Sequence, residues 1–263
     1  MLSMVRCSAA GIVFVALLGA GINEPLLAQR GRGAGAGGNA PAPTPQQAAP
    51  VDLTGYFVSV VSEDWRFRML TAPKGDVAGV PVNAEGRRVA GEWDAAKDAA
   101  AGEACRAYGA PGLMRLPGRL HVTWQDERTL KVETDAGTQT RLLRFGGGPA
   151  QPAAAERNFQ GVSTAAWDGV QAVEGPGGRW GSLRVVTNQL RPGYLRRNGV
   201  PYSENTVLTE YFDLHPGPAN STWLTITTIV NDPKYLAQEF ITSTDFRKEP
   251  DGSKWAPTPC SAD

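Results

Sequence analysis

Glu210 sits in Leu208-Thr209-Glu210-Tyr211-Phe212, a carboxylate held between apolar and aromatic residues in a run with strand character. A carboxyl group desolvated inside a protein has its pKa raised toward neutrality and can serve as a general acid or base. Arg141 and Arg68, on two other expected strands, are candidate countercharges, and Trp65, Trp124 and Tyr211 could line a pocket beside them. These six residues form the candidate ligand-binding set, with Glu210 as the best single catalytic candidate. The alternate register would turn Glu210 to solvent, and that is the orientation expected; Trp65, Trp124 and Tyr211, as aromatic residues in strands, are core more often than ligand contacts.

Other chemistry is poorly supported. The chain has two histidines, His121 and His215, far apart and without the short spacing of most zinc or copper ligand pairs, so no metal or cofactor is expected. A hydrolase triad would depend on one of the same two residues, and no glycine-x-serine-x-glycine elbow is present. Gly33, Gly35 and Gly38 match the spacing of a dinucleotide loop, but no strand precedes them and no helix follows. The glycines after Phe145 lack the lysine and hydroxyl residue of a phosphate loop.

The elements that would position the candidates are strands. In Leu120, Val122 and Trp124 the apolar side chains alternate with His121, Thr123 and Gln125, and Leu130 and Val132 repeat the period against Lys131 and Glu133. A polar turn, Asp126-Glu127-Arg128, separates the two runs. Asp135-Ala136-Gly137 offers a second turn before Thr138 to Phe145, so three antiparallel strands form a meander. Leu53 to Val61, Asp64 to Leu70, Phe159 to Trp167, Leu183 to Leu190, Thr206 to Leu214, Trp223 to Val230 and Phe240 to Phe246 bring the total to about ten strands. Asn83 and Asp94 are suited to cap short helices, with Val89 and Trp93 on one face, as a plug over an open barrel end. The expected fold is all-β: a single antiparallel barrel of about ten strands with a short helical insertion.

Residues 1–28 describe a secretory signal peptide, with Arg6 ahead of an apolar run too short for a membrane span and cleavage expected after Ala28. Cys7 precedes that run, so no lipid anchor is expected. Residues 29–50 are almost entirely Gly, Ala, Pro and Gln with little to bury, which predicts a disordered tether to the domain at 51–263. That domain keeps 23 basic and 25 acidic residues once Arg6, Arg30, Arg32 and Glu24 are set aside, a balance that argues against nucleic acid as a partner. The pairs Arg87-Arg88 and Arg196-Arg197 read as solvated. Cys105 and Cys260 remain, and an even pair in an exported chain is most simply a disulfide tying the tail to the plug.

Trp167-Asp168-Gly169, Leu183-Arg184-Val185-Val186-Thr187, Tyr194, Asn198-Gly199, Ser203-Glu204, Leu208-Thr209-Glu210-Tyr211-Phe212, Asp232-Pro233 and Cys260 resemble an uncharacterised family of exported bacterial proteins of soil proteobacteria and acidobacteria. The segment from Cys105-Arg106 to Gly118 resembles its first half. This resemblance implies export and carries no assigned activity, and the aspartate-threonine portion of the family's tryptophan-glutamate-glycine-aspartate-threonine-leucine stretch is displaced here by an insertion through Arg179. Gly55-Tyr56-Phe57 is also similar to the glycine-x-tryptophan entry of lipocalin-type (calycin) barrels, with phenylalanine in the tryptophan position.

Three functions follow as expectations: a periplasmic or secreted barrel holding a small, largely apolar ligand in its lumen; a cofactor-independent cyclase, isomerase or hydratase using Glu210; or an envelope interaction module with a filled core and an exposed apolar patch.

Overall fold

The alternating runs become strands because each presents one row of apolar side chains to a shared interior. In a computed structural model, which describes residues 41–147, 156–174 and 178–263, nine strands close into a barrel. They are β1 (Gly55–Val60), β2 (Arg119–Asp126), β3 (Thr129–Thr134), β4 (Gln139–Phe145), β5 (Val162–Ala172), β6 (Arg179–Asn188), β9 (Val207–Pro216), β10 (Thr222–Asn231) and β11 (Phe240–Glu249), in the order β1-β11-β10-β9-β6-β5-β4-β3-β2. The short strands β7 (Gly193–Tyr194) and β8 (Pro201–Tyr202) pair outside the barrel. The expected signal peptide and the first part of the expected tether lie outside the described residues.

Three expectations about the fold are corrected. The barrel has nine strands and is not purely antiparallel: β4 and β5 run parallel, pairing Leu143–Phe145 with Ser163–Ala165. The connection at 146–161 exceeds the dozen or so residues that a parallel restart requires. Asp64 to Leu70 is not a strand. It carries helix α1 (Trp65–Met69), entered through Asp64 in the left-handed region at φ 47°. The segment lies beyond the end of β1, where no neighbouring strand imposes a pleat. Finally, residues 44–50 are folded: the Trp167 indole donates to the Pro45 carbonyl at 2.8 Å, and Gln46 N–H bonds Glu127 O at 3.2 Å. This turn covers the tilted aromatic group of Trp124, Phe145 and Trp167 at one barrel end.

The opposite end is closed by the insertion between β1 and β2. Asn83 Oδ1 accepts from Gly86 N–H at 2.9 Å to start α2 (Ala84–Glu92), and Asp94 Oδ1 accepts from Ala96 and Lys97 N–H to start α3 (Ala95–Ala100). The buried face of α2 is Gly86 and Ala90, where Val89 and Trp93 had been expected. Trp93 ends the helix and packs half-buried on the core and against Gly199, whose φ of +80° suits the Asn198-Gly199 turn. Ala90, Ala110 of α4 (Ala110–Leu113), Leu195 and Val200 form one apolar cluster with Leu208, Val230 and Phe240 at the strand ends. The disulfide Cys105–Cys260, with Cα atoms 5.1 Å apart, pins the tail to this plug. Thr258 N–H to Asp135 O at 2.8 Å and Ser261 N–H to the Tyr108 hydroxyl at 3.2 Å hold it further.

Candidate functional site

Within the barrel the strands' alternate side chains are almost wholly removed from solvent. Phe57, Leu143, Leu183, Val185, Leu208, Ile226 and Val230 are 0% exposed, and Phe212 and Phe246 are 2% and 1%. Phe57, Leu143, Leu183, Val185, Phe212, Ile226 and Phe246 belong to one packed apolar cluster, so the middle of the lumen is a core. A drug-sized ligand needs about 300–1,000 Å³.

One polar group interrupts this core. Arg141 on β4 and Glu210 on β9 meet across the lumen at 1% and 0% exposure, with Nη1 donating to Oε1 at 2.8 Å and Nη2 to Oε2 at 2.5 Å. Glu210 therefore faces inward, against the solvent orientation expected, because its parity on β9 matches the buried Leu208 and Phe212. Arg141 Nη2 also donates to Thr187 Oγ1 at 3.3 Å, and Thr187 shares a 2.7 Å hydrogen bond with Ser163. Ser163 borders a depression of about 210 Å³ at the β4–β5 seam, beside Thr140, Asn158 and Gln160. Arg141 Nε, Thr228 Oγ1 and Thr244 Oγ1 are buried without partners.

The remaining members of the candidate set lie elsewhere. Tyr211 points away from the lumen, half-buried, and Trp124 belongs to the aromatic group under residues 44–50. Trp65 is 60% exposed on α1, and Arg68 bonds Glu63 where a countercharge for Glu210 had been expected. The structure thus unites Arg141 with Glu210 and separates them from Trp65, Arg68, Trp124 and Tyr211.

Arg68 belongs to a second constellation that the sequence reading missed. Arg68, Arg115 and Arg196 are 2%, 6% and 6% exposed beside α1. Arg68 Nε donates to Arg115 O at 3.0 Å, Arg115 Nη2 to Asp64 Oδ2 at 2.7 Å, and Arg196 Nη1 to Ala78 O at 2.7 Å. The Arg196 guanidinium also covers the Phe67 ring at 4.2 Å. Arg196 is therefore not a solvated residue. Burial pushes Arg68 and Arg196 below the ordinary arginine range, and the Arg115 charge adds to both shifts, while the acidic neighbours oppose them. Each guanidinium retains a buried nitrogen without a partner: Arg68 Nη2, Arg115 Nη1 and Arg196 Nε. Above them α1 exposes Trp65 and Met69, one turn apart, followed by Leu70, at 60%, 52% and 58%. An ordinary surface helix would turn such side chains inward.

Among the described residues no three His, Cys, Asp or Glu side chains gather as metal ligands, and no helix is long and apolar enough to cross a membrane. Comparison with protein-family models, with curated proteins and with solved structures finds no match for the chain.

Proposed function

We propose that this chain is an exported binding barrel whose ligand-holding surface is the α1 end and whose lumen is a structural core. The single observation carrying this reading is the contrast between the two regions. The apolar side chains in the middle of the lumen, Leu143, Leu183, Val185, Phe212 and Ile226 among them, are 0–2% exposed, whereas α1 and the residue after it present three large apolar side chains to solvent over three buried guanidiniums. Isolated exposed apolar residues need no explanation, but a contiguous group over under-paired buried charge marks a site of interaction. Val170, Val173 and Trp180 form another exposed apolar set on the β5–β6 hairpin, without the buried arginines that distinguish α1. The disulfide and the signal-like amino terminus favour export, and membership of the exported bacterial family that the sequence resembles remains part of this proposal.

A catalytic role for Glu210 is the weaker reading. Arg141 engages both of its carboxylate oxygens, and a general base must reach a substrate proton within about 3 Å. The test is a fluorescence titration of the purified chain with fatty acids, isoprenoids and aromatic compounds. A saturable change that disappears in Trp65→Ala/Met69→Ser supports the α1 end. A change that persists in that variant and disappears in the lumen variant Val185→Phe places the ligand in the barrel and removes the proposal.

A further inference from the structure

We infer that the α1 end takes the oxyanion head, a carboxylate or a phosphate monoester, of a soluble single-tailed amphiphile, which displaces Glu63 and Asp64 from Arg68 and Arg115 and engages Arg196. This inference rests on the reading of that end as the binding surface.

The argument begins with charge. Bringing guanidiniums together out of water is costly unless anions pair with them. Two carboxylates do so here: Glu63 bonds Arg68, and Asp64 bonds Arg115. Arg196 has a backbone carbonyl and an aromatic face as its close partners. Asp64 and then Asp76 also attract Arg196, but Asp64 is bonded to Arg115 and Asp76 lies 3.6 Å from the exposed Arg66. Asp245, which acts on Arg68 from β11, already accepts from Thr225 at 2.7 Å. Arg197, on the adjoining turn, spends its guanidinium on Met69 O at 3.4 Å. Three buried guanidiniums therefore share two directly bonded carboxylates, and each has a donor left over.

Glu63 and Asp64 reveal the chemistry that this cluster accepts. Their side chains are 34% and 49% exposed, so their carboxylates reach the buried arginines from the solvent side. Asp64 does so from a left-handed conformation that few non-glycine residues adopt. A ligand oxyanion arriving by the same route meets the same guanidinium forks, whose planar donor sets match carboxylate and phosphate alike. It would also satisfy the spare nitrogens, which the two side chains leave unpaired. Trp65, Met69 and Leu70 beside the entry suit a short apolar tail. No covalent step is involved.

The test is calorimetric titration of the purified chain with octyl phosphate, octanoate, octanol, octyltrimethylammonium and inorganic phosphate, and separately with anionic phospholipid vesicles. Octyl phosphate and octanoate are expected to saturate, with octanol and inorganic phosphate each at least about tenfold weaker and the cation silent. Glu63→Gln/Asp64→Asn, which changes two partly exposed residues, should bind octyl phosphate about tenfold more tightly because the competing carboxylates are gone. Arg196→Gln should weaken it by a similar factor, with circular dichroism confirming the fold. Unchanged or weaker binding by Glu63→Gln/Asp64→Asn overturns the displacement. Octanol binding as well as octyl phosphate, with sensitivity to Trp65→Ala, overturns the oxyanion inference but keeps the binding surface. Binding to vesicles without any monomer binding also overturns the inference, in favour of a membrane surface. Silence from every ligand defeats both readings.

Discussion

Removing one partner of the Arg141–Glu210 pair should destabilise the barrel far more than removing both. The pair is 1% and 0% exposed and doubly hydrogen-bonded, with neutral hydroxyls such as that of Thr187 as its other polar neighbours, so Glu210→Gln leaves a guanidinium charge buried without a countercharge. Breaking such a pair costs about 3–5 kcal/mol, whereas replacing both members with apolar residues of similar volume is often neutral or stabilising. For a domain of this size 1 kcal/mol corresponds to about 2–4 °C in Tm, which puts the loss for Glu210→Gln or Arg141→Met at about 6–20 °C. Arg141→Met/Glu210→Leu should recover most of that loss, which corresponds to a coupling energy of about 5 kcal/mol or more in the double-mutant cycle. Urea unfolding followed by circular dichroism measures all four corners. Single variants that cost less than about 1 kcal/mol would refute the reasoning, because a charge left behind so cheaply must be reached by water, and the lumen would then be open.

Other consequences follow from separate parts of the molecule. Cys260→Ser opens a crosslink between residues 155 apart in sequence and should cost about 2–5 kcal/mol, with faster proteolysis after Lys254 and an unchanged β-sheet spectrum; two alkylatable thiols in the oxidised wild-type chain would contradict it. Gly137→Ala should destabilise by about 2 kcal/mol or more, because the residue has φ +72° and a Cβ there would stand 2.1 Å from Tyr108 Cδ1; a neutral effect in thermal unfolding would show that this turn readjusts. Burial raises the Tyr194 and Tyr202 hydroxyls above the ordinary tyrosine value, and the Asp98 carboxylate adds to the shift of Tyr194. The folded state therefore holds these protons longer than the unfolded state, so this contribution to stability is complete below pH about 10 and is lost as pH rises toward the folded values. Alkaline unfolding midpoints should move upward in Tyr202→Phe, and an unmoved midpoint would count against that account.

The barrel strands were legible because a closed sheet buries one face. Leu120, Val122, Leu130 and Val132 alternate in sequence for the same reason that they are 1–2% exposed in the structure. The turn at Gly137 and the caps at Asn83 and Asp94 were legible through local chemistry. The parallel β4–β5 pairing was not, since alternation reports which face is buried and says nothing of strand direction. Period alone also misled at α1: Trp65, Phe67 and Met69 alternate with Arg66 and Arg68, yet it is Arg68 that is buried. Arg141 and Glu210 were found from their residue types and strand positions, although the sequence favoured the wrong face for Glu210. Arg115 and Arg196 were missed because loop arginines are usually solvated, and only the packing of 61–118 against 191–206 removes them from water. The signal that could have raised suspicion was the apolar Tyr194-Leu195 beside Arg196 and Met114 beside Arg115.

The central claim, that ligand engages the α1 end while the lumen stays closed, is tested most directly by amide chemical-shift mapping during titration with octyl phosphate. Saturable shifts at Glu63 to Leu70, Arg115 and Arg196 to Asn198, with Arg141, Thr187, Glu210 and Thr228 unmoved, are the predicted result. Shifts concentrated at Arg141, Thr187, Glu210 and Thr228 would contradict it.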